Sequence, residues 1–164
     1  MQTEPQRLSR KVWTRPDYLI AFGFGTGLVP KAPGTMGTLL AVLIYLLIRE
    51  LTLPIYLILV VACLALGVYL CERVSRDMGE SDPRGIVLDE IVGYWIVMIA
   101  APPAWYWIPV GFLLFRAADI LKPWPVGWLD RNVGGGLGIM LDDVAAAVIA
   151  WVCLYLMNAG LMIW

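Results

Sequence analysis

The chain contains no histidine. That absence excludes Ser-His-Asp and Cys-His catalysis and phosphohistidine chemistry, and it removes a common zinc ligand. The three cysteines, Cys63, Cys71 and Cys153, show no CxxC spacing and lie in or beside apolar runs, so they read as packing residues. Charge is also scarce. Only 15% of the 164 residues are Asp, Glu, Lys or Arg, against 60% hydrophobic residues and a mean hydropathy of +0.77. Soluble domains carry roughly 25% charge, so this composition is that of a small integral membrane protein. No repeat, low-complexity block or linker divides it, and no nucleic-acid partner is expected. Residues 1–16 read as a basic cytoplasmic arm and residues 17–164 as a single membrane-embedded domain.

What the sequence does have is long apolar runs broken by proline, glycine and charge. The pattern predicts an all-α, polytopic membrane bundle of about five membrane-embedded helices. The first runs from about Thr35 to Ile48, and the second from Leu53 to Cys71 with Pro54 near its first position. The third runs from near Ile86 to the Pro102-Pro103 break, and the fourth from Ala104 to about Leu121, halted by Lys122-Pro-Trp-Pro125. The fifth starts near Leu137 and stays apolar to Trp164. Ahead of them, Arg7, Arg10, Lys11 and Arg15 face a single Glu4. The glycine-rich run from Tyr18 to Val29 leads into Pro30 and not into a cleavage pattern, so it reads as an interfacial or re-entrant segment. With the arm inside, Arg49 is the only basic residue facing outward, which agrees with the positive-inside rule. Tryptophans such as Trp105, Trp107, Trp124 and Trp128 read as interfacial anchors.

Against this apolar background stand Asp89-Glu90, Asp119, Asp130 and Asp142-Asp143. A carboxylate at membrane depth costs several kcal/mol by the gentler scales, so it faces a cation, a metal or a water-filled cavity. From Ile91 to Ala101 there are 11 residues, about half of a ~30 Å hydrocarbon core at ~1.5 Å each, which draws Asp89 and Glu90 toward the membrane. Each adjacent-acid pair is expected in the first turn of a helix. Helix capping would account for one pair. Neighbouring helical residues point about 100° apart, so two pairs speak also for a hard divalent metal with oxygen ligands, Mg2+ or Mn2+. Arg116, Asp119 and Lys122 follow i, i+3 spacing and form either a salt-bridge ladder or a phosphate clamp. Thr35, in Gly34-Thr-Met-Gly-Thr38, is either an N-cap or a phosphate contact, and no Gly-Lys-Ser/Thr follows to make a P-loop. Gly134-Gly-Gly136 reads as a flexible lead into the last helix or as part of the site.

Three segments carry a resemblance. They are Gly25-Thr-Gly-Leu-Val-Pro-Lys-Ala-Pro-Gly-Thr-Met-Gly-Thr, Ile86-Val-Leu-Asp-Glu-Ile-Val-Gly, and Phe115-Arg-Ala-Ala-Asp-Ile-Leu-Lys-Pro-Trp-Pro, the last continuing through Asp130-Arg-Asn-Val-Gly-Gly-Gly to Leu141-Asp-Asp-Val. From about Phe22 to Trp151 the chain resembles phosphatidylglycerophosphatase A. The resemblance implies a bacterial inner-membrane, multi-pass, Mg2+-dependent enzyme whose active site faces the cytoplasm. It would remove the terminal phosphate of phosphatidylglycerophosphate to leave phosphatidylglycerol. The matching polar residues are Thr35, Asp89, Glu90, Arg116, Asp119, Lys122, Asp130, Arg131, Asn132, Asp142 and Asp143. On this reading Asp89, Glu90, Asp142 and Asp143 hold the metal, and Asp119, Asp130 and Asp143 serve catalysis. Thr35, Arg116, Lys122, Arg131 and Asn132 bind the substrate. The segment Glu80-Ser-Asp-Pro-Arg84 matches less distinctively and receives no role. A CDP-alcohol phosphotransferase would need a D-x2-D-G-x2-A-R pattern that is absent. A carboxylate-lined transporter would need acids spread across the membrane, whereas these gather at one face.

Overall fold

Proline and glycine set the ends of the helices. The computed structural model describes residues 4–99 and 101–161, and among them every regular element is helical. In chain order these are α1 (Glu4–Thr14), α2 (Pro16–Ala21), a 3-10 turn (Gly23–Leu28), α3 (Pro33–Ile48), α4 (Leu53–Met78), α5 (Leu88–Met98), α6 (Trp107–Leu121), α7 (Val126–Asn132) and α8 (Gly135–Leu161). Pro16, Pro33 and Pro54 stand in first turns, where a missing N–H is harmless. Gly79 closes α4 in the left-handed conformation, φ 73°, its N–H bonded to the Ser75 and Arg76 carbonyls.

The five expected helices are present as α3, α4, α5, α6 and α8. Among the described residues only α4 and α8 are long and apolar enough to cross a membrane, fewer than the five membrane-embedded helices expected. At ~1.5 Å per residue, α5 with 11 residues reaches only about 16 Å. Helix α4 runs past Cys71 to Met78, because charges end an apolar run while Glu72, Arg73 and Arg76 remain good helix formers. Residues 162–164, where the expected last helix ends, lie outside the described residues.

Helix α8 forms the axis of the bundle and packs against α4, α5, α6 and α7. Helix α5 is buried almost all round, from Leu88 to Met98. It approaches α6 closely because residue 93 is glycine: a Cβ there would lie 2.6 Å from Phe115 Cζ. Deeper in the bundle, an aromatic layer ties three helices together. Tyr45 meets Tyr56 and Tyr94 edge-on, at ring-centroid separations of 6.4 and 6.1 Å. Tyr56 Oη donates to the Trp95 carbonyl at 2.8 Å, Trp95 Nε1 to the Ala41 carbonyl at 3.0 Å, and Tyr94 Oη to the Ile108 carbonyl at 3.1 Å. Tyr56, Tyr94 and Trp95 thus each satisfy the polar atom of a buried ring. Beyond the layer, Arg49 donates to the Pro103 carbonyl at 3.3 Å, which joins the two turns expected to share the outer face. Leu43, Leu47, Ile58, Val61 and Leu156 are exposed on the flanks of α3, α4 and α8, a coat suited to lipid.

The basic arm is itself a helix, α1, with Val12 fully buried. Lys11 and Arg15 reach Asp77 of α4 at 2.8 and 3.1 Å, and Arg15 and Arg73 flank Asp17 at 2.7 and 3.0 Å. The Arg15 guanidinium holds the Asp17 carboxyl below its usual range. The glycine-rich run, expected to be an interfacial or re-entrant segment, forms α2 and the 3-10 turn. Phe24 and Gly25 take positive φ of 54° and 94° there, and Gly27 lies so close to the Gly85 carbonyl that no side chain fits. A hydrogen bond of 2.9 Å from Val87 N–H to the Ala21 carbonyl seats this turn on the segment leading into α5. The tryptophans divide: Trp105, Trp124 and Trp128 are exposed, while Trp107 is 2% exposed and belongs to the core.

Candidate active site

The first turn of α5, the last turn of α6, the start of α3, α7 and the first half of α8 converge on a cavity of about 340 Å3. Asp89 and Glu90 come from α5 and Asp143 from α8. Carboxylate oxygens of these three lie within 4.8 Å of one another. Among the described residues, Asp89 Oδ1, Glu90 Oε2 and Asp143 Oδ2 are buried without any hydrogen-bond partner. Three converging carboxylates with only Arg116, at 3.7 Å from Glu90, to offset their charge are costly as they stand, and a cation placed among them removes the cost. Oxygen-only donors with no thiolate or imidazole fit a hard divalent ion.

Asp142 does not join this group. Its carboxylate accepts from Lys122 Nζ at 2.9 Å, and the same ammonium pairs closely with Asp130. Three of the four carboxylates expected to hold a metal converge, and Asp142 lies apart, because consecutive helical residues diverge by about 100° and only Asp143 turns toward α5. Nor do Asp142 and Asp143 occupy a first turn. Helix α8 begins at Gly135, φ 68°, and no acid lies in its opening turn. The glycines admit this early start: Gly136 N–H donates to Glu72 Oε2 at 2.5 Å, and a Cβ at Gly136 would strike the α4 backbone. Capping therefore accounts for neither member of that pair. On α5, Val87 is the N-cap and makes no side-chain cap bond.

Arg116 Nη1 lies 2.6 Å from Asp119 Oδ2 and 3.7 Å from Glu90 Oε1, with all three side chains largely buried. The i, i+3 ladder is thus real for Arg116 and Asp119, but Lys122 leaves it. Lys122 caps α6 at φ 44° and swings toward α7 and α8. Burial pulls the Lys122 pKa down, yet its bonds to Asp130 and Asp142 outweigh that and leave it above the ordinary lysine value. The ammonium therefore stays charged. Gly34, in the first turn of α3, completes the wall: a Cβ there would overlap Glu90 Oε1 and come within 3.1 Å of Arg116 Nη1.

Ala32, in the left-handed region, is the N-cap of α3, so Thr35 is not; Gly34 and not Thr35 borders the cavity. Arg131 and Asn132 are exposed at the end of α7, outside the cavity wall, and Asn132 Nδ2 donates to the Trp128 carbonyl at 2.7 Å. The wall includes two residues given no role from sequence, Asp82 and Arg84. Only their juxtaposition to Ile86-Val-Leu-Asp-Glu hinted at them. In all, seven acids and three bases border the cavity, an excess that repels an anionic substrate unless a cation accompanies it.

The profile of the family described as phosphatidylglycerophosphatase A matches residues 19–158. The chain belongs to that family. All the cavity residues named above fall inside the matched span. Escherichia coli (strain K12) phosphatidylglycerophosphatase A is 46% identical over 148 residues, covering 90% of this chain and 86% of its own. The Haemophilus influenzae phosphatidylglycerophosphatase A is 43% identical over 155 residues, covering 93% and 95%. A Bacteroides thetaiotaomicron protein, whose name assigns it provisionally as a phosphatidylinositol-3-phosphatase, is 39% identical over 149 residues, covering 84% and 92%. No solved structure matches the chain significantly. Membership of the phosphatidylglycerophosphatase A family makes the chain a phosphatase, hence a hydrolase.

Proposed function

We propose that the chain hydrolyses the terminal phosphomonoester of phosphatidylglycerophosphate to phosphatidylglycerol and inorganic phosphate, with Mg2+ as cofactor, at the cytoplasmic surface of the bacterial inner membrane. The observation that carries this reading is the converging trio Asp89, Glu90 and Asp143, each with one buried oxygen that has no hydrogen-bond partner, beside Arg116 and Lys122. Residues 17–164 act as one catalytic domain. Helices α4 and α8 cross the bilayer, α3, α5 and α6 are embedded beside them, and α1 lies at the cytoplasmic surface. Support comes from the lone basic residue at the far end, Arg49, against the cations around the cavity.

Asp89, Glu90 and Asp143 would hold the ion, which would supply positive charge beside the phosphoryl group and acidify a water. Arg116 and Lys122 neutralise the charge that develops on the phosphoryl group. Asp119, oriented by Arg116, takes a proton from the attacking water. The P–O bond to the headgroup glycerol then breaks, and that oxygen is protonated from solvent. Asp142 and Asp130 keep Lys122 in place. The diacylglycerol tail stays in the hydrocarbon while the headgroup bends into the cavity.

The test is phosphate release from phosphatidylglycerophosphate by the detergent-purified protein, with Mg2+ and with EDTA. Release that depends on Mg2+ is expected; none in the presence of the metal refutes the reading. The Bacteroides relative gives reason to assay phosphatidylinositol 3-phosphate in parallel. Faster turnover of that lipid would reassign the headgroup.

A further inference from the structure

Resting on that activity, the cations of the cavity wall divide into two kinds. Arg116 is held by Asp119 and Glu90, and Lys122 by Asp130 and Asp142. Arg84 alone of the three makes no ion pair or hydrogen bond among the described residues. Asp82, two residues earlier, also borders the cavity, yet the two side chains do not pair. The backbone around Arg84 is nevertheless fixed. Ile86 N–H bonds the Pro83 carbonyl at 2.9 Å, Val87 N–H bonds the Ala21 carbonyl at 2.9 Å, and Gly85 lies wedged against Phe22. An exposed guanidinium on an anchored segment at the cavity rim is free to meet an incoming anion.

The substrate carries two phosphates. Its terminal phosphomonoester must travel to the buried trio, and the phosphodiester that joins glycerol to the lipid follows one glycerol unit behind. That phosphodiester halts near the rim, because the acyl chains stay in the hydrocarbon. There it meets a wall with more acids than bases, in which Arg116 and Lys122 are already paired. We propose that Arg84 forms a second anion subsite, at the rim of the cavity, that binds the phosphodiester of the lipid headgroup and so selects diphosphorylated lipids over simple phosphomonoesters. A guanidinium suits this task, since its fork receives two phosphate oxygens without demanding close enclosure.

The subsite acts on binding and not on the bond that breaks. Removing Arg84 should therefore raise KM and leave kcat unchanged. The experiment compares wild-type protein, R84A and R84K in mixed micelles. Two substrates are used: phosphatidylglycerophosphate, and an analogue whose bridging phosphodiester is replaced by an uncharged methylphosphonate while the terminal phosphomonoester is retained. On the natural lipid, R84A is expected to raise KM by roughly 10- to 100-fold, the range for a hydrogen bond to a charged group, with kcat within twofold. R84K should recover part of the loss. On the uncharged analogue, wild-type and R84A proteins should behave alike, both with the high KM. An R84A penalty of equal size on both substrates, a loss in kcat, no change on the natural lipid, or no turnover of the analogue by the wild-type protein would each overturn the subsite. Failure of the wild-type protein to release phosphate from the natural lipid would instead overturn the activity itself, and the two failures are told apart in the same assay.

Discussion

Asp142 and Asp143 are neighbours in sequence with the same side chain, and the structure gives them different work. Asp143→Asn removes one of three carboxylates that converge within 4.8 Å, whereas Asp142→Asn removes one of two acceptors on Lys122. At ~4 Å and an effective dielectric of about 20, one unit pair of charges is worth about 4 kcal/mol, and a divalent ion doubles it. Rehydration of the ion offsets much of this, and a residual of about 3 kcal/mol corresponds to roughly a 100-fold loss of affinity. Asp143→Asn should therefore weaken Mg2+ binding by about two orders of magnitude or more. Asp142→Asn should leave it within about threefold, with activity falling through a loosened Lys122. Binding is read by Mn2+ electron paramagnetic resonance in detergent, with Mg2+ as competitor, independently of turnover. A second readout has the opposite sign. Without metal, Asp143→Asn relieves repulsion among buried carboxylates and should raise Tm even as the cation site is lost. Equal loss of ion affinity in the two variants, or a larger loss in Asp142→Asn, would refute the division of labour.

Gly34→Ala should cut activity at least tenfold with only ~1–3 kcal/mol lost in stability, because the new methyl displaces Glu90 and Arg116; kinetics and thermal unfolding on the same sample check this. Trp95→Phe removes the bond to the Ala41 carbonyl and should lower stability by about 1–2 kcal/mol while Mg2+ affinity is unchanged, as chemical denaturation and ion titration will show. A membrane-impermeant maleimide should label Glu50→Cys in intact cells and Asp82→Cys only after permeabilisation. The reverse pattern would invert the proposed orientation.

The positions of the five apolar helices were legible because proline marks helix ends, opening α3 and α4 at Pro33 and Pro54 and breaking the chain at Pro102-Pro103 and Lys122-Pro123. Their membrane-crossing capacity was not, since a run of apolar residues does not say how much of it a neighbouring helix will bury. Asp89, Glu90 and Asp143 stood out because charge amid apolar sequence is expensive and needs a reason. That Asp142 turns to Lys122 while Asp143 joins Asp89 and Glu90 was not legible, since the direction of a side chain depends on which neighbour its helix packs against. That α8 starts at Gly135 depends on contact with Glu72, 64 residues earlier in the chain. Helix α7, of seven residues, is too short to show a period. Arg84 escaped notice for the opposite reason to Asp89: in a polar loop, charge costs little and carries little information.

The aromatic layer of Tyr45, Tyr56, Tyr94 and Trp95 has a bearing on bioenergetics. On the placement proposed above, a polar cavity partway into an energised membrane risks shorting the proton gradient. Rings locked edge to edge, with the Tyr56 and Tyr94 hydroxyls and the Trp95 N–H each donating to a carbonyl, put a packed aromatic layer across the route that a chain of water would have to take. On the orientation proposed, phosphate enters and leaves by the same door, so lipid synthesis at this site proceeds without drawing on the membrane potential.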